Sequence, residues 1–323
     1  MIRLAVIGAH GLVGRTILDI LEERRLRIDE LALIGRESDA PIEWNHGMIS
    51  IQTIERVDFS TVDAALNAAG RDVSLRWTER IAGDGCLLVD NSSAFRQVPD
   101  VPLVVPELNG DLIAPNDRVV ANPNCTTIQL ALALDPLHRV FGLEQIDITT
   151  LQSASGAGRT LMDQLRDGTG ALPGNVLPSI GELDEYGRSE EERKIETELP
   201  RILGLNGVSI ASTTTRVPVQ IGHGAAVHLR LATPASTSRV VAVLQDAPGI
   251  RIVDERERPG GPTPTEDAAG QNNVLIGRIR TDPTDPRRLQ LWIVADNLRR
   301  GAALNAVLIL ERLLSVNGVN ATV

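Results

Sequence analysis

The chain begins with a strand, a glycine-spaced turn and a helix in direct succession, and that order restricts what its first half can fold into. Ile2–Ile7 is short and apolar, Gly8-Ala9-His10-Gly11-Leu12-Val13-Gly14 follows, and Arg15–Glu22 has helical spacing. Glycines at 8, 11 and 14 allow a tight turn and let N–H groups at a helix N-terminus approach a pyrophosphate. The same spacing occurs in plain glycine-rich turns, but the flanking strand and helix supply the context that a dinucleotide site needs. Strand-like runs recur at Leu31–Ile34, Ala64–Ala68, Cys86–Asp90 and Leu103–Val105, with helix-like stretches such as Val73–Ile81 separating several of them. Such alternation predicts a Rossmann-like α/β domain with a parallel sheet and helices on both faces. Cys86 opens one of these buried strands and reads as core. Gly35-Arg36-Glu37-Ser38 follows the second strand, where adenosine ribose is selected. Arg36 would attract a 2′-phosphate and Glu37 would repel it; the alternative is a solvated loop of mixed charge.

Cys125 is one of only two cysteines and sits at a change of structure. Val119-Val120-Ala121 reads as a strand end, Asn122-Pro123-Asn124 as a turn, and Thr126–Leu134 as a helix ending before Pro136. A thiol at a helix N-terminus meets unpaired N–H groups and the positive end of the dipole, which favour the nucleophilic thiolate. A small buried hydrophobe is the competing reading. So few cysteines give no disulfide framework in 323 residues, which points to a reducing, cytoplasmic setting. The net charge of −10, without a basic block, argues against nucleic acid as partner. No signal-peptide pattern and no apolar run of membrane-spanning length is found, and no metal site is expected.

In the second half, the strand-like run Ile146–Leu151 leads to Gln152-Ser153-Ala154-Ser155-Gly156-Ala157-Gly158-Arg159, whose small residues permit close approach of a ligand or cap a helix. Ser189–Glu198 is a charged helix that by itself reads as a solvated face. His223 lies between Gly222 and Gly224, ahead of the strand Ala225–Leu231, where a ligand could approach it. Histidine is the natural acid/base near neutral pH, and a Cys and a His together in a cofactor-binding chain strengthen that reading. An apolar helix to about Leu314 closes the chain and is placed to pack back onto the first domain.

Taken together, these segments resemble the aspartate-semialdehyde dehydrogenase family over nearly the whole chain. The matching motifs run, in order, from Gly8–Gly14 through Asp90-Asn91-Ser92-Ser93-Ala94-Phe95-Arg96, Val101–Asn109 and Asn122–Thr127. They continue with Ser155–Gly158, Arg216-Val217-Pro218, Gly222-His223 and Asp296–Asn305. The resemblance implies a dinucleotide-binding domain over 1–124, completed by a helix in 301–323, and an α+β catalytic and dimerisation domain over 125–300. It implies that Cys125 attacks L-aspartyl 4-phosphate, expels phosphate and forms a thioester that hydride reduces to L-aspartate 4-semialdehyde. His223 would serve as acid/base and Gln152 would orient the substrate. Arg216 would bind the α-carboxylate and Glu191 the α-amino group, while Arg96 and Lys194 would hold phosphate. The cofactor would be NADP, held by Gly8, His10, Gly11, Leu12, Val13, Gly14, Arg36, Ser38, Ser155, Gly156, Gly158 and Asn297. The chain departs from the family pattern at His10, usually Thr, and at Glu37, where Arg-Ser is frequent, so NAD is also admitted. It departs again at Gly224-Ala225, usually Ser and an acid. The implied setting is a cytoplasmic homodimer in lysine (diaminopimelate), threonine and methionine synthesis, with no nucleic acid or membrane partner. Two other readings are a reductase of a related acyl phosphate such as N-acetylglutamyl phosphate, and a non-catalytic homologue. Glu191 disfavours the first, because an acetylated amine carries no charge for it to pair, and an intact Cys125 and His223 disfavour the second.

Overall fold

A computed structural model of the chain describes residues 2–319. By its contacts the chain divides into two compact units, Met1–Pro123 with Ala302–Val323, and Asn124–Gly301. Residue 1 and residues 320–323 of the expected first domain lie outside the described residues.

The first unit is built on β1 (Arg3–Ile7), α1 (Leu12–Arg24), β2 (Glu30–Ile34), a small hairpin of β3 (Ile42–Trp44) and β4 (Gly47–Ile49), and β5 (Ile51–Gln52). β6 (Ala64–Asn67), α2 (Arg71–Gly83), β7 (Leu87–Asp90), the short α3 (Pro106–Asn109) and β8 (Val119–Ala121) complete it, with the C-terminal helix Leu304–Val316. The six-stranded sheet has the order β5-β2-β1-β6-β7-β8, and every pairing is parallel. Its inner strands are buried on both faces, which is why they read as continuous apolar runs rather than as alternation. Successive side chains still part to opposite sides. Leu4 and Val6 join Ile17, Leu21 and Leu66 with Val307, Leu310 and Leu314 of the C-terminal helix. Ala5 and Ile7 join Phe59, Ile81, Leu88 and Cys86 on the other face. The expected strand at Leu103–Val105 is not formed; Leu103 makes only a single bridge to Ala121. Pro102 and Pro106 bracket the run and remove ladder donors, and Pro106 starts α3 instead.

The second unit comprises α4 (Cys125–Phe141), β9 (Leu143–Gln152), α5 (Arg159–Arg166), α6 (Glu190–Leu203), β10 (Ser209–Arg216) and β11 (His223–Leu231). α7 (Thr237–Gln245), β12 (Ile250–Ile252), β13 (Val274–Thr281) and β14 (Arg288–Ala295) follow. Its mixed sheet has the order β10-β9-β11-β14-β13-β12. α4 does not stop before Pro136 but continues to Phe141. A proline inside a helix costs about 3 kcal/mol. Burial of Leu137 and Phe141 in the continuation offsets that cost at roughly 1.5–3 kcal/mol per large apolar side chain. Register then places the chemistry. Arg216 at the end of β10 pairs with Gln152 at the end of β9, while His223, the first residue of β11, pairs with Ala295 at the end of β14. One end of the sheet therefore gathers Gln152, Arg216, His223 and the segment entering Asn297.

Candidate active site

Cys125 is the first residue of α4, and the Asn124 side chain caps the helix by accepting from the N–H groups of Thr126 and Thr127 at 2.9 and 3.2 Å. Asn124 is fixed in turn: its N–H donates to Glu198 Oε2 at 2.7 Å and its Nδ2 to Glu191 Oε1 at 2.8 Å. The thiol is half-buried. Cys86 is a different case: burial pushes its thiol up to about 12, which leaves it inert.

α6 starts with a capping box, in which the Ser189 hydroxyl accepts from the Glu192 N–H and the Glu192 carboxylate accepts from the Ser189 N–H. That start fixes Glu191, which is 6 % exposed and so does not belong to a solvated face. Besides Asn124, Gln152 Nε2 donates to Glu191 Oε1 at 3.1 Å, and Lys194 lies 3.3 Å from Glu191 and 2.8 Å from Glu190. Gln152 is therefore tied to a carboxylate, and Lys194 sits between two.

Arg216 is buried and donates from Nη1 to the Ser153 carbonyl at 2.8 Å. Desolvation pulls its pKa below the ordinary guanidinium value, against the raising influence of Cys125 and Glu191, so the cation, the thiol and the carboxylate form one electrostatic group. His223 is fully buried; the expected open setting between glycines is not found, because His223 belongs to a central strand of the sheet. Desolvation first, and the Arg216 cation second, push its pKa down to about 3, against a smaller opposing pull from the Gly222 carbonyl. It is neutral at physiological pH. Its Nδ1 accepts the Ser153 N–H at 3.0 Å and lies 3.1 Å from Ser153 Oγ. Asn297 Oδ1 accepts from the Gly222 N–H at 2.9 Å and lies 3.0 and 3.1 Å from the hydroxyls of Ser155 and Ser153. Two positions expected to hold cofactor, Ser155 and Asn297, are thus bonded to each other behind His223. Gly158 caps α5, and Gly156 lies against the reactive groups: a Cβ there would meet Arg216 Nη1 at 2.8 Å and His223 Nε2 at 3.1 Å. Gly301 lies under Cys125, where a Cβ would come 2.9 Å from the cysteine Cβ.

In the first unit the glycine turn behaves as its spacing requires. Gly8 has φ +79°, and a Cβ on Gly14 would overlap the Gly8 carbonyl oxygen. The first turn of α1 has neither a side-chain cap nor an acidic residue, and the N–H groups of Leu12, Val13 and Gly14 precede the first intrahelical bond, from Arg15 N to Gly11 O. A diphosphate fits such an end. His10 Nε2 lies 2.6 Å from the Ala40 carbonyl and ties this turn to the Arg36–Ala40 loop. In that loop Arg36 pairs with Asp39, and Glu37 accepts from Arg56 at 2.8 Å. Arg96 is buried and donates to the carbonyls of Asn122 and Asn91 at 2.9 and 2.8 Å. Among the described residues, no group of three or more His, Cys, Asp or Glu side chains is assembled for a metal ion, and no helix is long and apolar enough to cross a membrane.

Sequence reasoning passed over Ser153, Asn124 and Glu198 as site residues. Glu198 had a signal, since it lies two helical turns after Glu191 and shares its face. Asn124 had one in the Asn-Pro-Asn turn. Ser153 had none beyond being small.

Comparison with known proteins gives the family and the fold. Residues 3–115 match the family description "Semialdehyde dehydrogenase, NAD binding domain", and residues 134–300 match "Semialdehyde dehydrogenase, dimerisation domain". The aspartate-semialdehyde dehydrogenase of Shewanella sp. (strain DB6705) is 38% identical over 328 residues, covering 96% of each chain. The corresponding protein of Synechocystis sp. is 38% identical over 330 residues, covering 97% of each. The crystal structure of aspartate semialdehyde dehydrogenase II from Vibrio cholerae superposes with a TM-score of 0.92 at 37% identity, over 97% of this chain and 98% of that one. The same enzyme complexed with ASA gives 0.93 at 36% identity, over 98% of both chains.

Proposed function

The chain belongs to the aspartate-semialdehyde dehydrogenase family, and we propose that it reduces L-aspartyl 4-phosphate to L-aspartate 4-semialdehyde with NADP as cofactor and phosphate as the second product. The observation that carries this reading is that Cys125 and Glu191 both act electrostatically on the buried Arg216. A buried guanidinium and a buried carboxylate beside one thiol suit a substrate that bears both an α-carboxylate and an α-ammonium group. An acylated amine would bring no charge to Glu191, which would keep only Lys194 as a cation.

In this mechanism the Cys125 thiolate attacks the acyl carbon, held in its charged form by the α4 N-terminus and Arg216. The carbonyl electron pair moves to oxygen and returns as the carbon–oxygen bond to phosphate breaks, which leaves a thioester. Gln152 and Asn124 keep the Glu191 carboxylate turned to the substrate. Lys194 supplies a cation for phosphate. When bound, the nicotinamide supplies the hydride that converts the thioester to a thiohemiacetal oxyanion. Collapse of that oxyanion releases the aldehyde and restores the thiolate. The Gly8–Gly14 turn suits the cofactor pyrophosphate, and Arg36 with Ser38 suits the 2′-phosphate end. The dimerisation family description of residues 134–300 supports a homodimer.

The test is turnover of purified protein with L-aspartate 4-semialdehyde, phosphate and NADP⁺, with N-acetylglutamate semialdehyde as the competing substrate. Phosphate-dependent NADPH formation with the first and not the second is expected. Preference for the acetylated substrate would overturn the reading, and no turnover with either would favour a binding role.

A further inference from the structure

We propose that Arg15, steadied by the His10 ring, supplies a second cation for the 2′-phosphate of NADP and so helps to set the choice between NADP and NAD. The proposal deepens the cofactor reading given above and rests on it.

Two neighbours with fixed roles decide how His10 is wired. A backbone carbonyl only accepts, and that of Ala40 lies 2.6 Å from Nε2, so Nε2 carries a proton and donates it. A guanidinium only donates, and Nη2 of Arg15 lies 3.5 Å from Nδ1, which therefore presents its lone pair. The ring bridges the Arg36–Ala40 loop at one edge and the Arg15 cation of α1 at the other. A Rossmann-like fold seats the adenosine ribose of its cofactor between these same two elements, the glycine turn and the loop after the second strand. Arg15 is thus drawn toward the ribose side of the turn. The diphosphate is left to the N–H groups of Leu12, Val13 and Gly14, which precede the first intrahelical bond.

The charge balance is a separate observation. Arg15 is half-buried and lies close to the positive end of the α1 dipole, where a cation is disfavoured. The first turn of α1 holds no acidic residue, and among the described residues no ion pair joins Arg15 to a carboxylate. Two other arginines of this end differ. Arg36 faces Asp39 at 3.5 Å, and Arg56 faces Glu37 at 2.8 Å. Each of those cations brings its own anion, so an incoming phosphate meets Arg15 as a cation not yet neutralised. A partly desolvated charge without a counter-ion is unfavourable, and an anion settling against it relieves that.

The 2′-phosphate is the anion that suits this place. A guanidinium takes two phosphate oxygens in a fork, and this phosphate is what distinguishes NADP from NAD. The departure from the family pattern at position 10 then has a physical reason. An imidazole has nitrogens at two edges and spans from Ala40 to Arg15, whereas the single hydroxyl of a threonine, held on Cβ, reaches less far.

Equilibrium binding to the whole protein tests this without turnover. NADPH, NADH, adenosine 2′,5′-bisphosphate and adenosine 5′-monophosphate are titrated by calorimetry into wild type, Arg15→Gln, Arg15→Lys, His10→Thr and the Arg15→Gln, His10→Thr double variant. Wild type should bind NADPH more tightly than NADH; an equal or reversed order ends the cofactor reading itself. In Arg15→Gln the affinity for NADPH and for the bisphosphate should fall about 10-fold, the lower end for a hydrogen bond to a charged group, because the side chain is only half-buried. NADH and the monophosphate should bind as in wild type, which also shows that the variant is folded. Arg15→Lys should keep part of the affinity, since the charge remains without the fork. His10→Thr should weaken NADPH in the same sense, and in the double variant it should add nothing to the Arg15→Gln loss, because the ring acts through Arg15. A wild-type NADPH preference that persists in Arg15→Gln overturns the proposal. A loss shared equally by NADH and the monophosphate assigns Arg15 to the diphosphate and overturns it as well. Full additivity of the two substitutions would remove His10 from its supporting role. The wild-type comparison judges the cofactor reading and the variants judge Arg15, so the two failures stay separable.

Discussion

Gly156→Ala tests whether the reactive groups need the close approach that the sequence allows them. The added Cβ would lie 2.8 Å from Arg216 Nη1 and 3.1 Å from His223 Cε1 and Nε2. Ordinary contact begins near about 3.5 Å, so the guanidinium must retreat by roughly 0.7 Å and the imidazole by roughly 0.4 Å. Neither has slack, because both are buried and each is held by Ser153, Arg216 through its carbonyl and His223 through its N–H. Overpacking of this kind costs about 1–3 kcal/mol of stability, which a chain of this size survives. Catalysis is less tolerant, since a displacement near 1 Å is worth about 10²-fold. The expected result is a folded protein whose kcat/KM falls about 10- to 100-fold by the same scaling. Gly83→Ala is the control, because Gly83 lies in α2 with nothing near its missing Cβ. Steady-state turnover with thermal unfolding of both variants reads the outcome. A folded Gly156→Ala protein with wild-type kcat/KM would refute the idea that Arg216 and His223 act in the positions described.

Three further outcomes follow from the same geometry. Cys125→Ala should abolish phosphate-dependent turnover while leaving NADP⁺ binding by calorimetry intact, and Cys125→Ser should keep at most a trace; substantial turnover in the alanine variant would end the thioester mechanism. In the native protein, iodoacetamide should label Cys125 and leave Cys86 untouched, because burial holds the Cys86 thiol up to about 12; mass spectrometry showing Cys86 labelled before unfolding would contradict its place in the core. Arg216→Lys keeps the charge but loses the fork, and kcat/KM should fall by the equivalent of roughly 1.5–3 kcal/mol, the range for hydrogen bonds to charged groups; an unchanged value would remove Arg216 from substrate recognition.

The parts of the molecule that were legible in the sequence are those decided locally. The glycine turn of residues 8–14 and the helix N-terminus at Cys125 are each set by a few adjacent residues, and both stand where spacing placed them. What depended on distant partners was not legible. His223 sits between glycines that read as an open turn, but its pairing with Ala295 turns the segment into the start of a buried strand. Glu191 reads as one charge in a solvated run, and only its contacts with Asn124 and Gln152 make it a buried anchor. The Ser189–Glu192 capping box was visible as a Ser-x-x-Glu pattern and would have fixed the helix start. Pro136 misled because a local rule against proline gave way to the burial of residues beyond it.

The loop after β2 shows how neighbours change the meaning of a charge, and it yields one more prediction. Read alone, Glu37 beside Arg36 opposes a 2′-phosphate. In the structure Glu37 has its own cation, Arg56, at 2.8 Å, and both side chains are largely exposed, at 73% and 68%. Asp39 is turned to Arg36 instead, accepting its N–H at 2.8 Å with the guanidinium 3.5 Å away. The four charges cancel in pairs, so neither Arg36 nor Glu37 acts at full strength on an incoming phosphate. NADP should still be preferred, because Arg36 directly follows the strand-end Gly35 and its guanidinium remains 85% exposed beside Asp39. Exposed pairs of this kind couple by only about 0.2–1 kcal/mol. Glu37→Ser should therefore raise the NADPH-over-NADH ratio of kcat/KM by no more than about five-fold, and Arg56→Ala should lower it by a similar factor, since it frees the Glu37 charge. Raised salt should shrink both effects, because charges in water are screened within about 10 Å at moderate ionic strength. A wild-type preference for NADH, or a ratio that ignores both substitutions, would mean that the 2′-phosphate is not read by this loop.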